Sequence, residues 1–228
     1  MTSSPETALD AASANEGWEQ AYASQPPTSL WQDEPIPLAA EALEFLREHG
    51  ADTMIDLGCG DGRNLPPFIR AGLHVTGVDA SPTPVERAAA RLRQNGLQGI
   101  TVTADAVALP FPREAVDAVT CFDAFSHFVD PVAALAEIQR VLRPGGQFMV
   151  NVFNTDDSEC GMGEQLFGTT YRYRGTIFRF YQEDELRELL TGWKTVEFRT
   201  HTWDDPPHGE FRPHPHTHSN FVVKAVKA

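Results

Sequence analysis

Hydrophobic positions along this chain follow two alternating periods. Short apolar runs fall at Met54 to Leu57, Leu73 to Val78, Ile100 to Ala104, Ala115 to Phe122 and Gln147 to Phe153. Runs of this length, flanked by turn residues, predict buried strands. Between them the apolar residues take helical spacing: Leu38, Ala42, Phe45 and Leu46; Leu65, Phe68 and Ile69; Val85 to Gln94; Val132, Leu135, Ile138 and Leu142. The boundaries carry chemical reasons. Pro37, Ser81-Pro82 and Asp130-Pro131 suit helix starts, and Gly50 and Asn95-Gly96 suit helix ends. Pro66 and Pro67 are tolerable only in the first turn of their helix. Two further strands are expected at Thr195 to Trp203 and Asn220 to Val226, after a short helix from Glu183 to Leu190. Strand and helix alternating over about 100 residues imply an α/β fold. The expected architecture is doubly wound: a mostly parallel seven-stranded sheet, helices on both faces, and an antiparallel last strand.

Two stretches fall outside this alternation. Residues 1–36 read as an N-terminal helix (Leu9 to Tyr22) followed by a flap, ahead of the main domain at 37–228. The aromatics Trp18, Tyr22 and Trp31 are placed to cover a ligand, since an aromatic face attracts a cation. A second departure lies at about 154–182. There Tyr171-Arg172-Tyr173-Arg174-Gly175-Thr176-Ile177-Phe178-Arg179 alternates rings and arginines around a glycine. Period two predicts an extended hairpin, read here as an insertion and lid over the acceptor, with Arg174 among its substrate contacts.

The chemistry concentrates at strand tips. The first strand runs into Gly58-Cys59-Gly60-Asp61-Gly62, a turn whose glycines let a ligand approach the backbone closely. Asp56, Asp79 and Asp105 stand at the carboxyl ends of the first three strands. That edge of a doubly wound sheet is where ligands bind, and an acid at the second tip accepts hydrogen bonds from ribose hydroxyls. A carboxylate beside the glycine turn suits an ammonium, a sulfonium or hydroxyls better than a pyrophosphate.

These residues resemble the class I S-adenosylmethionine (SAM) methyltransferases. Asp56-Leu57-Gly58-Cys59-Gly60-Asp61-Gly62 resembles their first motif, and Gly77-Val78-Asp79-Ala80-Ser81 their second. Ala104-Asp105-Ala106 with Leu109-Pro110-Phe111 is similar to the adenine-edge motif. Phe122-Asp123-Ala124-Phe125-Ser126-His127-Phe128 and Arg140-Val141-Leu142-Arg143-Pro144-Gly145-Gly146 are similar to the fourth- and fifth-strand motifs. The branch most like this chain is related to ubiquinone and menaquinone methyltransferases. The resemblance implies SAM as cofactor and a small-molecule acceptor methylated at oxygen or nitrogen. It implies Asp79 on the ribose, Asp105 with Ala106 beside adenine, and Gly58 and Gly60 near the methionine part. Asp56 is expected to meet the methionine ammonium, directly or through water. Cys59, Ala80, Phe122 and Trp31 complete the expected cofactor contacts.

Composition narrows the partners. Acids outnumber Lys and Arg 32 to 18, for a formal net charge of −14 over 228 residues. That disfavours nucleic acid and anionic membranes, which require basic surfaces. Three scattered cysteines form no disulfide framework, no apolar N-terminal run suggests a signal peptide, and a cytoplasmic location is expected. His127, just past the fourth strand, is the candidate general base, because imidazole titrates near neutrality. His214-Pro215-His216-Thr217-His218 sets three imidazoles on alternate residues. His216 and His218 are read as lining the acceptor pocket with Tyr22 and His127. No metal ligand is assigned, although a metal-binding protein of this fold remains an alternative, as does a peptide or protein methyltransferase. A nicotinamide oxidoreductase fits less well, since the loop is Gly-x-Gly-x-Gly rather than Gly-x-Gly-x-x-Gly.

Overall fold

The computed structural model describes residues 11–24, 33–207 and 214–228. Its centre is β1 (Thr53–Leu57), which pairs in parallel with β2 (His74–Asp79) on one side and β4 (Val116–Cys121) on the other. β3 (Ile100–Thr103) extends the sheet beyond β2, and β5 (Leu142–Phe153) beyond β4, both in parallel. β9 (Trp193–Asp205) and β10 (His216–Lys227) form a long hairpin whose second strand inserts antiparallel against β5. The order is β3-β2-β1-β4-β5-β10-β9.

The central strands are apolar on both faces because both faces are covered. On one side Met54, Val75, Ala118 and Met149 pack beneath α2 (Pro37–Glu48), α3 (Leu65–Arg70) and α4 (Pro82–Gln94). On the other, Ile55, Leu57, Val119, Phe148 and Val150 pack beneath α5 (Pro131–Val141) and α6 (Glu183–Leu189). Neighbouring residues such as Met54 and Ile55 join opposite cores, as the pleat requires. Pro66 and Pro67 do fall in the first turn of α3. Asp130 caps α5 by accepting from Ala133 N.

Two additions flank the sheet's carboxyl edge. α1 (Ala11–Ala23) lies against α4 and against β8 (Thr176–Arg179). β6 (Glu164–Phe167), β7 (Thr170–Tyr173) and β8 make a separate antiparallel sheet. The β7–β8 turn has Arg174 at φ +50° and Gly175 at φ +83°. Two positive φ values mark the two-residue turn that matches strand twist. Here the alternating pattern around Gly175 was legible. The last strand was not read to its full length: the hairpin begins at His216, opposite Asp205, so His216 and His218 belong to a strand rather than to a loop.

Candidate active site

A cavity of about 390 Å³ opens at the carboxyl ends of β1, β2 and β4. The glycine turn after β1 forms one wall. Gly58 N and Cys59 N donate to Val78 O, at 2.7 and 3.0 Å, strapping the turn to β2. Gly58 has φ +73° and a Cβ there would collide with Ala124; Gly60 has φ +53° and a Cβ there would sit 2.5 Å from Tyr22 Oη. Glycine is therefore required by conformation and by space at both positions.

Asp79 ends β2 inside this wall. Its Oδ2 accepts from Gly60 N and its Oδ1 from Ser81 N, both at 3.0 Å. Burial raises its pKa, with the Ser81 and Gly60 amides opposing the rise. A carboxylate offers about four lone-pair sites, so acceptor capacity remains beyond these amides. Cys59, Ala80, Asp105, Ala106 and Phe122 also line the space. Asp105 Oδ1 accepts from Val107 N at 3.2 Å.

Asp56 departs from expectation. It is 2 % exposed and does not line the cavity. Its Oδ1 accepts from Thr120 Oγ1 at 2.8 Å, and its Oδ2 has no hydrogen-bond partner among the described residues. Burial pushes its pKa up to about 7 despite that bond and the attraction of Arg63. The reason is position: Asp79 is the last residue of β2, whereas Asp56 precedes Leu57 and still lies between Gly77 and Thr120 in the ladder.

A fourth strand-tip acid joins these three. Asp123 follows Phe122 and lines the cavity at φ +52°. Asn151 fixes it from β5, donating from Nδ2 to Oδ1 at 2.6 Å and accepting from Asp123 N at 2.8 Å. Arg63 Nη2 pairs with its Oδ2 at 3.0 Å. The rule that singled out Asp79 and Asp105 applies equally to Asp123; Arg63 carries no such signal.

α1 covers the opening with Asn15, Trp18 and Tyr22. Glu19 accepts from Thr83 N at 3.0 Å and Arg87 Nη2 donates to Tyr22 O at 2.8 Å, anchoring the helix to α4. His127 occupies the 3-10 turn Phe125–His127 and also lines the cavity. Its Nδ1 lies 2.6 Å from Ile177 O. A carbonyl only accepts, so Nδ1 carries the proton and the neutral ring keeps its lone pair on Nε2. The rings of Trp18 and Phe178 stand edge-on to it, at 4.8 and 4.6 Å.

The remaining expected residues lie elsewhere. Trp31 falls outside the described residues. Arg174 is exposed at the hairpin turn, where Nε donates to Tyr173 Oη, and it does not line the cavity. His216 and His218 are also off the lining: Phe153 stands between, 5.5 Å from the His218 ring and 5.7 Å from that of His127.

Residues 55–150 match the family model described as a methyltransferase domain. The chain carries a class I SAM-dependent methyltransferase domain. An uncharacterized methyltransferase of Mycobacterium tuberculosis is 35% identical to it over 126 residues, 55% of this chain and 49% of that protein. A ubiquinone biosynthesis O-methyltransferase of Cereibacter sphaeroides is 31% identical over 165 residues, 70% of this chain and 62% of that protein. The chain thus spans about half the length of several curated relatives it matches. Its fold superposes on Burkholderia thailandensis 1,6-didemethyltoxoflavin-N1-methyltransferase with TM-score 0.69 and 22% identity, covering 100% of this chain and 92% of that one. That protein was solved with 1,6-didemethyltoxoflavin and S-adenosylhomocysteine bound. The methyltransferase domain here fits such a cofactor on its own geometry. Gly58 and Gly60 line the cavity with bare backbone, Asp79 is fixed by the Gly60 and Ser81 amides beside it, and the cavity lies within the usual range of about 300–1,000 Å³.

Proposed function

We propose that this protein transfers the methyl group of SAM to an oxygen or nitrogen of a small-molecule acceptor. SAM supplies a carbon already activated by its sulfonium. Asp79 holds the ribose diol, Asp105 and Ala106 border the adenine, and the glycine turn admits the methionine end. Asp56, off the cavity lining, ties β1 to β4 by accepting from Thr120. The acceptor occupies the half of the cavity bounded by Trp18, Tyr22 and His127. As the new bond to carbon forms, His127 Nε2 takes the acceptor's proton, and Ile177 O steadies the imidazolium through Nδ1–H.

The observation that carries this reading is the orientation of His127. Its Nδ1 is tied to the protein, its ring is boxed by Trp18 and Phe178, and it faces the same cavity as Asp79. The cover formed by α1 favours a small acceptor over a folded protein. The ubiquinone and toxoflavin relatives point to phenolic and heteroaromatic compounds.

Calorimetric titration with S-adenosylhomocysteine, then methyl-transfer assays on a panel of phenols, quinols and nitrogen heterocycles, tests the proposal. Binding is expected for the native chain and weaker by about 1–3 kcal/mol for Asp79→Ala, the usual cost of a lost buried polar contact. Equal affinity in that variant refutes the ribose assignment. Affinity for NADH in place of S-adenosylhomocysteine refutes the reaction class.

A further inference from the structure

Away from the cavity, the loop after β5 and the start of β10 bring a second set of side chains together. Glu159, His216 and His218 place one ligating atom each within 4.8 Å of one another. His216 and His218 are two apart on a strand and so share a face; their rings lie 4.6 Å apart at 85°.

The hydrogen bonds behind these residues point the ring nitrogens inward. His218 Nδ1 lies 2.9 Å from Asp157 Oδ2, whose carboxylate also accepts from Ser219 N at 2.9 Å. Asp157 is 3% exposed, and its Oδ1 accepts from Glu159 N. His216 Nδ1 lies 2.9 Å from the carbonyl of His214. In both rings Nδ1 is therefore the donor, which leaves Nε2 as the coordinating atom of the neutral form. Asp205, opposite His216 across the hairpin, sets Oδ2 3.9 Å from each Nε2.

We propose that Glu159, His216 and His218 bind a divalent transition-metal ion, zinc by preference, with Asp205 as a fourth ligand. Two imidazoles and carboxylates are a zinc-type donor set, and a carboxylate behind a ligating histidine is the usual outer support. Zinc–nitrogen distances of ~2.0–2.1 Å place tetrahedral ligands roughly 3.3 Å apart. The 3.9 Å separations therefore close by about half an ångström. The ion would clamp the loop carrying Glu159 to the end of the β9–β10 hairpin where Asp205 and His216 pair. Phe153 stacks on His218 and touches His127, so the clamp stiffens the back wall of the cavity without contacting its ligand.

The untagged full chain, stripped with chelator, is titrated with zinc chloride by calorimetry. Bound metal is counted by mass spectrometry after gel filtration, and cobalt(II) absorption spectra report coordination geometry. One ion per chain and tetrahedral cobalt bands are expected. Glu159→Gln and His216→Ala should each weaken binding by tenfold or more, and Asp157→Asn by about 10- to 100-fold. Because His218→Ala could unfold the region by stranding Asp157, the first two variants carry the test; His74→Ala, on β2, serves as control. Native chain that binds no zinc beyond a chelator blank overturns the proposal. So does a Glu159→Gln/His216→Ala double variant with undiminished affinity. S-adenosylhomocysteine affinity, measured on the same samples, should be unaffected by Glu159→Gln, which separates failure of this site from failure of the methyl-transfer reading.

Discussion

Replacing Asp56 by asparagine should remove a pH-dependent strain from the middle of the sheet. Asp56 is held among Thr120, Gly77 and the apolar β1 neighbours, and its carboxyl titrates near 7 rather than near 3.8. Between those values the folded chain keeps a proton that the unfolded chain has lost. The folded state binds more protons there, so stability falls as pH rises through the window. Each pH unit is worth about 1.4 kcal/mol, which sets a ceiling of roughly 4 kcal/mol across the interval. For a domain of this size that corresponds to on the order of 10 °C in Tm. Asparagine keeps Oδ1 as an acceptor for Thr120 and carries no charge at any pH. Thermal unfolding of both proteins without ligand, at steps from pH 4.5 to pH 8.5, measures the effect. Asp61 and Asp79 are also raised by burial and give both proteins a slope of the same sign. The informative quantity is therefore the divergence of the two curves. The native protein should lose stability faster than the variant up to about pH 7, with the gap constant above it. Parallel curves would refute the assignment of a buried, neutral Asp56.

Two further substitutions probe the acceptor half. His127→Gln retains a donor for Ile177 O but no base, so kcat should fall by about 10²–10⁴-fold on an acceptor that is protonated at the assay pH. S-adenosylhomocysteine affinity should change little, and undiminished turnover would exclude His127 as the base. Gly17→Ala sets a methyl group against Gly175 O and 2.6 Å from its carbonyl carbon. Backbone cannot rotate aside, so α1 must lift, at a cost of about 1–3 kcal/mol. Lower Tm, faster proteolysis within α1 and weaker ligand binding are expected; native values on all three would show that the helix does not rest on this contact.

The parts of the site legible in the sequence are those built within a few residues of one another. The glycine turn, Asp79 and Asp105 follow from strand periodicity and from the rule that ligands gather at strand ends. The same rule failed at Asp56 because one residue decides which way a side chain leaves a strand. Leu57 still belongs to β1, so Asp56 remains in the ladder. Asp123 obeys the rule as well: it stands two residues past the end of β4 and lines the cavity. Arg174 was expected to face the substrate from its alternation with aromatics. Its turn instead demands positive φ at both central residues, which carries the arginine to the exposed tip. His216 and His218 were assigned to the right edge of the sheet but the wrong neighbours. β10 runs antiparallel and enters from that edge, with β5 and Phe153 lying between it and the cavity.

The two halves of the cavity therefore differ in how sequence encodes them. The cofactor half depends on short-range geometry: the turn from Gly58 to Gly62 and the bond from Gly60 N to Asp79, nineteen residues on. The acceptor half is assembled from distant segments. His127 is oriented by Ile177, fifty residues away, and α1 meets the hairpin at Gly175. Phe153 links this half to the Glu159–His216–His218 cluster, since its ring lies against both His127 and His218. Changes in α1, the hairpin or that cluster can reshape the acceptor wall while leaving the cofactor grip unaltered. On the proposed placement of the acceptor, its specificity depends on contacts that no local pattern reveals, and exchanging α1 and residues 154–182 together, rather than either alone, is the change expected to move it.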